Sequence, residues 1–167
     1  MAVLLQKLLL NVYGKPAWHV CKGYGSIITF EFGRPKLEVW QESLKSSKKA
    51  GRKYPRRLAR VYGDWHLWIF CCDWVIRQDG RKACHSESED EKIKRACSIL
   101  NEQILTRVSV DSETATSEFQ FDLGGHLRTT PYRGEPLEMW SLRLSERALL
   151  RIKSRRTLLI FFGEHLT

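Results

Sequence analysis

Most of the chain alternates between apolar and polar positions with the two-residue period that is typical of short β-strands. Between residues 14 and 40 the alternation is interrupted by glycines and prolines, which predicts short strands joined by turns. Further strands are predicted at 81–85, 104–110, 116–121, 125–129, 140–144, 148–152 and 157–162. The pattern therefore predicts a protein built from about ten short strands.

The most apolar segment is Trp65 to Ile76, where large side chains occupy both alternating positions. A strand covered on both faces gives this pattern, so we predict one strand in the centre of its sheet. Gln78, Asp79 and Gly80 follow it and predict a hairpin turn. The leucine-rich run Val3 to Leu10 is compatible with a strand or with helical turns, and we favour a strand.

One helix is predicted after residue 88. Ser88 and Glu91 have the spacing of a capping box, in which each side chain bonds the backbone of the other residue. Apolar residues then recur at helical spacing, and Asn101 is a plausible end. The members of this stripe are Ile93, Ala96, Cys97 and Leu100.

These elements predict an α+β protein that is mainly β. We expect a strongly bent antiparallel sheet or a partly open barrel, with one helix packed against it. The 167 residues fit a single domain, 1–167. Within it, residues of about 41–57 are rich in serine and cations and predict a flexible basic loop.

Part of this pattern resembles a group of short bacterial proteins of uncharacterised function. The resemblance covers most of the chain from about residue 14 onward. It lies in a Trp-x-Leu-Trp-Ile strand and a Phe-Asp-Leu-Gly-Gly turn, and then in a later strand. The residues that carry it are Gly63, Trp65, Leu67, Trp68, Ile69, Cys72, Trp74, Ile76, Phe121, Asp122, Leu123, Gly124, Gly125, Leu127, Thr129, Pro131, Trp140 and Leu142. The group implies the fold class but no activity.

Charge adds the strongest functional signal. The formal net charge is +9, and the cations are concentrated between residues 41 and 60, where Glu42 is the single acid. The candidate binding residues of this basic loop are Lys45, Lys48, Lys49, Arg52, Lys53, Arg56, Arg57 and Arg60. A second basic group near the end of the chain comprises Arg151, Lys153, Arg155 and Arg156. Such a distribution favours an anionic partner.

Signatures of chemistry are weak by comparison. The close pairs that suggest a metal site are His19 with Cys21 and Cys84 with His85. Adjacent strand residues such as Cys84 and His85 point to opposite faces, so we predict no metal site and no cofactor. Combinations of Cys21 or Cys84 with His19, His66 or His126 lack a local catalytic signature, and no catalytic residue is assigned. Asp73 lies in the most apolar segment, where we expect a buried carboxylate paired with an arginine or a loop amide.

We therefore expect a small binding protein that is not an enzyme. The first hypothesis is a protein-interaction factor of the immunity or accessory type, which contacts an acidic protein through the basic loop and exposed aromatic residues. The alternative is a sequence-tolerant nucleic-acid-binding module that contacts phosphates through residues 45–60. The odd number of cysteines, and the absence of a signal-peptide or membrane-span pattern, predict a cytoplasmic protein without membrane contact.

Overall fold

The computed structural model describes residues 2–43, 45, 49, 51–132, 137–145, 148–153 and 157–162. The helices in this part of the chain are α1 (Ala2–Leu9) and α2 (Asp90–Leu100). The strands are β1 (Ala17–Lys22), β2 (Ile28–Phe32), β3 (Lys36–Gln41), β4 (Arg57–Tyr62), β5 (Trp65–Ile69), β6 (Cys72–Gln78), β7 (Arg81–His85), β8 (Leu105–Val110), β9 (Ser117–Phe121), β10 (Gly125–Pro131), β11 (Glu138–Ser145), β12 (Ala148–Lys153) and β13 (Thr157–Phe162).

The strands form two large sheets and one hairpin. One sheet has the order β1-β2-β5-β11-β12-β13, the other has the order β7-β6-β10-β9-β8, and β3 pairs only with β4 among the described strands. Every pairing is antiparallel, so the prediction of a mainly β, antiparallel fold is confirmed. The predicted strongly bent sheet or partly open barrel is not confirmed: the described strands form two large sheets, and the described residues include two helices where one was predicted.

Aromatic residues join the two sheets across a common core. Phe30 of β2 stacks on Phe121 of β9, with ring centroids 6.0 Å apart. Phe119 of β9 meets Trp140 of β11 edge-on at 5.3 Å, and the Trp140 Nε1–H donates to the Ser117 hydroxyl at 2.9 Å. These contacts show that the sheets pack face to face.

The segment from Trp65 to Ile76 is two strands, which corrects the prediction of one. Cys71 has a left-handed backbone (φ +48°), and the chain passes there from β5 in the six-stranded sheet to β6 in the five-stranded sheet. Inward-facing residues have odd numbers in β5 and even numbers in β6, because the break shifts the alternation by one. Each strand is interior to its sheet, but only one face of each strand is buried. Trp68 lies on the outward face of β5 and is 45% exposed, whereas Trp74 lies on the inward face of β6 and is 1% exposed.

The N-terminal run forms helix α1, so the strand favoured for it is wrong. Leu5 and Leu9 are spaced by four residues and are buried on one face, while Val3 and Leu10 are exposed. The run of leucines satisfies either periodicity, and packing on the body of the protein selects the helix. Within the described residues, neither helix has the length and apolar content needed to cross a membrane.

Helix α2 has the predicted buried stripe and the predicted end at Asn101, but it begins differently. The first helical residue is Asp90, and the residue before it, Glu89, makes no side-chain capping bond. The Ser88 hydroxyl instead accepts a hydrogen bond from the His85 N–H at 3.0 Å, so the capping-box prediction is wrong. At the other end, Asn101 Oδ1 accepts from the Val20 N–H at 3.2 Å and so ties the helix to β1.

The hairpin turn predicted at residues 78–80 is confirmed. Asp79 and Gly80 both have positive φ in the β6–β7 hairpin, as a tight two-residue turn requires. Gly124 has φ +82° between β9 and β10, and Asp122 Oδ1 accepts from the Ile104 N–H at 2.7 Å. Asp73, by contrast, is exposed and accepts from the Ser86 hydroxyl at 3.2 Å, so the expectation of a buried carboxylate is wrong.

Candidate functional site

The predicted basic loop lies at the end of the hairpin formed by β3 and β4. The pairing runs from Lys36↔Tyr62 to Gln41↔Arg57 and is extended by a bond from the Glu42 N–H to the Arg56 carbonyl at 2.9 Å. We call residues 36–62 the hairpin arm. All six residues of β3 are exposed, as are most of β4, so much of this arm is in contact with solvent.

Most of the predicted basic residues on the arm are available to a partner. Lys45, Lys49, Lys53, Arg56 and Arg57 are exposed and form no ion pair with another described residue. Arg52 is half-buried and pairs with Glu42 Oε1 at 2.5 Å, while Arg60 Nη2 lies 3.8 Å from Glu31 Oε1. Lys48 lies outside the described residues. The end of the arm therefore keeps a large net positive charge.

The arm also carries apolar side chains that the sequence pattern had assigned to an ordinary strand. Leu37, Val39 and Val61 share one face, because Leu37 pairs with Val61 and alternate residues point the same way. We call these three residues the apolar stripe; they are 68%, 51% and 45% exposed. Trp40, on the opposite face, is 43% exposed. Contiguous apolar side chains exposed on a surface are typical of interaction sites.

The second predicted basic group is only partly described. Arg151 and Lys153 lie on β12 and are half-buried, and Arg155 and Arg156 lie outside the described residues. Arg151 Nη1 is 3.3 Å from Glu138 Oε2 on the neighbouring strand. Burial raises the pKa of Glu138, although Arg151 and Lys153 oppose the shift. Arg151 and Glu138 both line a cleft on the six-stranded sheet.

A cleft of about 1110 Å³ opens on the face of the six-stranded sheet that lies away from the five-stranded sheet. Two rows of side chains cross it, because neighbouring antiparallel strands place their paired residues side by side. One row is Glu31, His66, Arg143 and Leu149, and the other is Thr29, Trp68, Ser141 and Arg151. Arg60 of the arm, Phe70 and Glu138 also line it. We call this site the cleft.

Glu31 organises one end of the cleft. It is 3% exposed, and its Oε2 accepts from the Gly63 N–H at 2.8 Å. Its Oε1 lies 2.7 Å from His66 Nδ1, so the carboxylate fixes the orientation of the imidazole. No described residue bonds His66 Nε2, the other ring nitrogen, and the imidazole lines the cleft.

Arg143 lies beside His66 on the next strand. Its guanidinium carbon is 4.6 Å from the centre of the Tyr62 ring, and Nη2 donates to the Gly63 carbonyl at 3.5 Å. No carboxylate of the described residues forms an ion pair with it. Its charge is therefore less compensated than those of Arg60 and Arg151, which face Glu31 and Glu138.

Sequence reasoning missed most of this site. His66 was considered as a base for a cysteine nucleophile, but its partner is Glu31. His126 instead pairs with Glu118, and Cys84 is buried. The available signal was Glu31 itself, a charged residue at a buried position of the apolar strand Ile28–Phe32.

The cysteines do not form a site in the described part of the chain. All five are unpaired, and no three His, Cys, Asp or Glu side chains there are placed to hold a metal ion. Cys72, Cys84 and Cys97 are buried. Burial raises the pKa of Cys84 to about 11 and that of Cys97 to about 12, and it raises the pKa of Cys72 as well. Only Cys71 is exposed.

Native protein treated with iodoacetamide at pH 8 is expected to be alkylated first at Cys71, since the thiolate is the nucleophile and the buried thiols stay protonated. Peptide mass mapping over time should show Cys71 labelled and its neighbour Cys72 unlabelled. Cys71→Ser should remove the fast phase. A label on Cys72, Cys84 or Cys97 at the rate of Cys71 would contradict the described burial.

No protein-family model, curated protein or solved structure matches this chain. The hairpin arm and the cleft are therefore interpreted from their own chemistry.

Proposed function

We propose that the protein is a non-enzymatic binding protein whose hairpin arm docks an acidic protein partner, in the manner of an immunity or accessory factor. The observation that carries the proposal is the apolar stripe of Leu37, Val39 and Val61 on an arm whose end is strongly basic. Protein interfaces combine an apolar centre with a polar or charged rim, and this arm presents both.

The stripe favours a protein over a nucleic acid. Phosphate contacts need cations, and base contacts need aromatic rings, but aliphatic side chains such as Leu37 and Val39 offer neither. A partner with its own apolar patch removes them from water, at about 25 cal/mol per Å² of apolar surface buried. The lysines and arginines at the end of the arm then select for carboxylates on the partner and speed its association.

The alternative function is nucleic-acid binding, in which residues 45–60 contact phosphates. The exposed cations Lys49, Lys53, Arg56 and Arg57 support it. We also propose a cytoplasmic location, which the cysteines support. All five are unpaired, which favours a reducing bacterial cytoplasm.

The test is affinity capture of the tagged full chain from bacterial lysate with and without nuclease treatment, with quantitative mass spectrometry. We expect an acidic protein to be captured by the parent and about 10-fold less by Leu37→Ser, as for an interface residue worth roughly 1–2 kcal/mol. Leu123→Ser is the matched control, because Leu123 is 66% exposed and lies outside the arm. It should capture as much as the parent.

Two results would overturn the proposal. Material that is lost on nuclease treatment, with binding that falls steeply between 50 and 200 mM salt, would identify the nucleic-acid alternative, since phosphate contacts release counterions. Equal capture by the parent and by Leu37→Ser would show that the stripe is not an interface.

A further inference from the structure

We propose that the cleft is a binding site for a small organic anion, namely a planar ring that bears a phosphate or a carboxylate. Arg143 would hold the anionic group and Trp68 would support the ring. The inference rests on side chains of the outward face of the six-stranded sheet. Val61 of the apolar stripe also lines the cleft, but neither Arg143 nor Trp68 belongs to the stripe, so the two proposals can be tested separately.

The charges of the cleft favour an anion. Three arginines and two glutamates line it, namely Arg60, Arg143, Arg151, Glu31 and Glu138. Both glutamates are engaged within the protein, Glu31 by the Gly63 N–H and His66, and Glu138 by Arg151.

Arg143 carries the positive charge that remains. Within the described residues it has only the Tyr62 ring and a long hydrogen bond to the Gly63 carbonyl. A guanidinium offers paired donors that match phosphate or carboxylate oxygens, and an anion in the cleft would supply the missing acceptor.

An aromatic surface lies next to this charge. The rings of His66 and Trp68 on β5 and of Phe70 just after it follow one another, with centroid distances of 6.1 Å and 5.5 Å. Trp68 is 45% exposed although it is in the middle of the sheet, so its ring is available for contact with a planar group. Trp68 and Arg143 occupy adjacent rows, because their pairing partners are Ser141 and His66. A ligand of a few ångströms can reach both.

The cleft also supplies further hydrogen-bonding groups and enough room. Ser141 is 5% exposed and is paired with Trp68 on one side and Arg151 on the other, so its hydroxyl can bond a ligand that stacks on the ring. His66, held by Glu31 through Nδ1, presents Nε2 as a second bonding group. A volume of about 1110 Å³ is sufficient for a ligand of nucleotide size.

The test is a titration of the full chain with adenosine monophosphate and, separately, with indole-3-acetate, by calorimetry, with tryptophan fluorescence as a second readout for adenosine monophosphate. Adenosine and inorganic phosphate each lack one half of the first probe, and indole and acetate each lack one half of the second. We expect saturable binding of at least one anionic probe below 1 mM, with both half-ligands about 10-fold weaker or more. The probe that binds distinguishes phosphate from carboxylate.

Variants assign the binding to the cleft. Arg143→Gln and Trp68→Leu should each weaken binding of that probe about 10-fold or more, and Arg95→Gln, an exposed arginine on α2, should not. Leu37→Ser should bind the probe like the parent. If Arg143→Gln fails to fold, as judged by circular dichroism, Trp68→Leu decides the outcome. Absence of saturable binding by either anionic probe, or binding that both cleft variants leave unchanged, would overturn the proposal.

Discussion

Replacement of Trp74 by alanine is expected to lower the free energy of unfolding by about 3–5 kcal/mol. Trp74 lies on β6, is 1% exposed and fills the core between the sheets. Its Nε1–H donates to the Ser26 carbonyl at 2.7 Å, which ties the five-stranded sheet to the β1–β2 turn. Alanine leaves a cavity and removes that bond, and the loss is a large part of the stability of an ordinary domain. Guanidinium chloride denaturation followed by circular dichroism measures the change.

Trp68→Ala is the matched control for Trp74→Ala, and its expected cost is smaller, about 1–2 kcal/mol. Trp68 is 45% exposed, so far less apolar surface returns to water and no closed cavity forms. Equal costs for the two variants would show that Trp68 is buried, contrary to the structure. A cost below about 1 kcal/mol for Trp74→Ala would contradict its place in the core.

The difference between these tryptophans shows where periodicity stops being informative. From the sequence alone, Trp68 and Trp74 lie on the same face of one continuous strand and are equivalent. The left-handed backbone at Cys71 shifts the alternation, so Trp68 faces the cleft and Trp74 faces the core. Cysteine is not a residue that predicts positive φ, so no local signal marked the break.

Some local signals were reliable, although the capping box at Ser88 and the strand favoured for residues 3–10 were wrong. The buried stripe of α2, its end at Asn101 and the turn at Gly80 depend on residues close in sequence, and each was predicted correctly. The cleft depends instead on pairings between distant strands. Glu31 and His66 are 35 residues apart, and the pairing of β5 with β11 brings in Arg143. Composition located the basic arm, but only the strand order could bring these side chains together.

Gly63→Ala is expected to destabilise the protein by about 1–3 kcal/mol or more, because this position has no room for a methyl group. A Cβ there would lie 2.3 Å from the Phe32 carbonyl oxygen and 2.9 Å from the Phe32 nitrogen. Both are backbone atoms of β2, so no side-chain rotation relieves the overlap. The Gly63 N–H also donates to Glu31 Oε2, and displacement of that backbone disturbs a buried carboxylate. Thermal and guanidinium denaturation of the variant measure the cost.

Gly80→Ala separates this steric effect from the general cost of replacing a glycine. Gly80 has φ +75°, and an added Cβ meets nothing within 4 Å. Alanine there therefore lowers the free energy of unfolding only through the left-handed backbone, by about 1–2 kcal/mol. No left-handed conformation is involved at Gly63, where the cost comes from the overlap with β2. Since the overlap also moves Glu31, Gly63→Ala should weaken binding of an anionic probe in the cleft, whereas Gly80→Ala should leave it unchanged. Parental stability of Gly63→Ala would show that Gly63 and Phe32 of β2 are further apart than described.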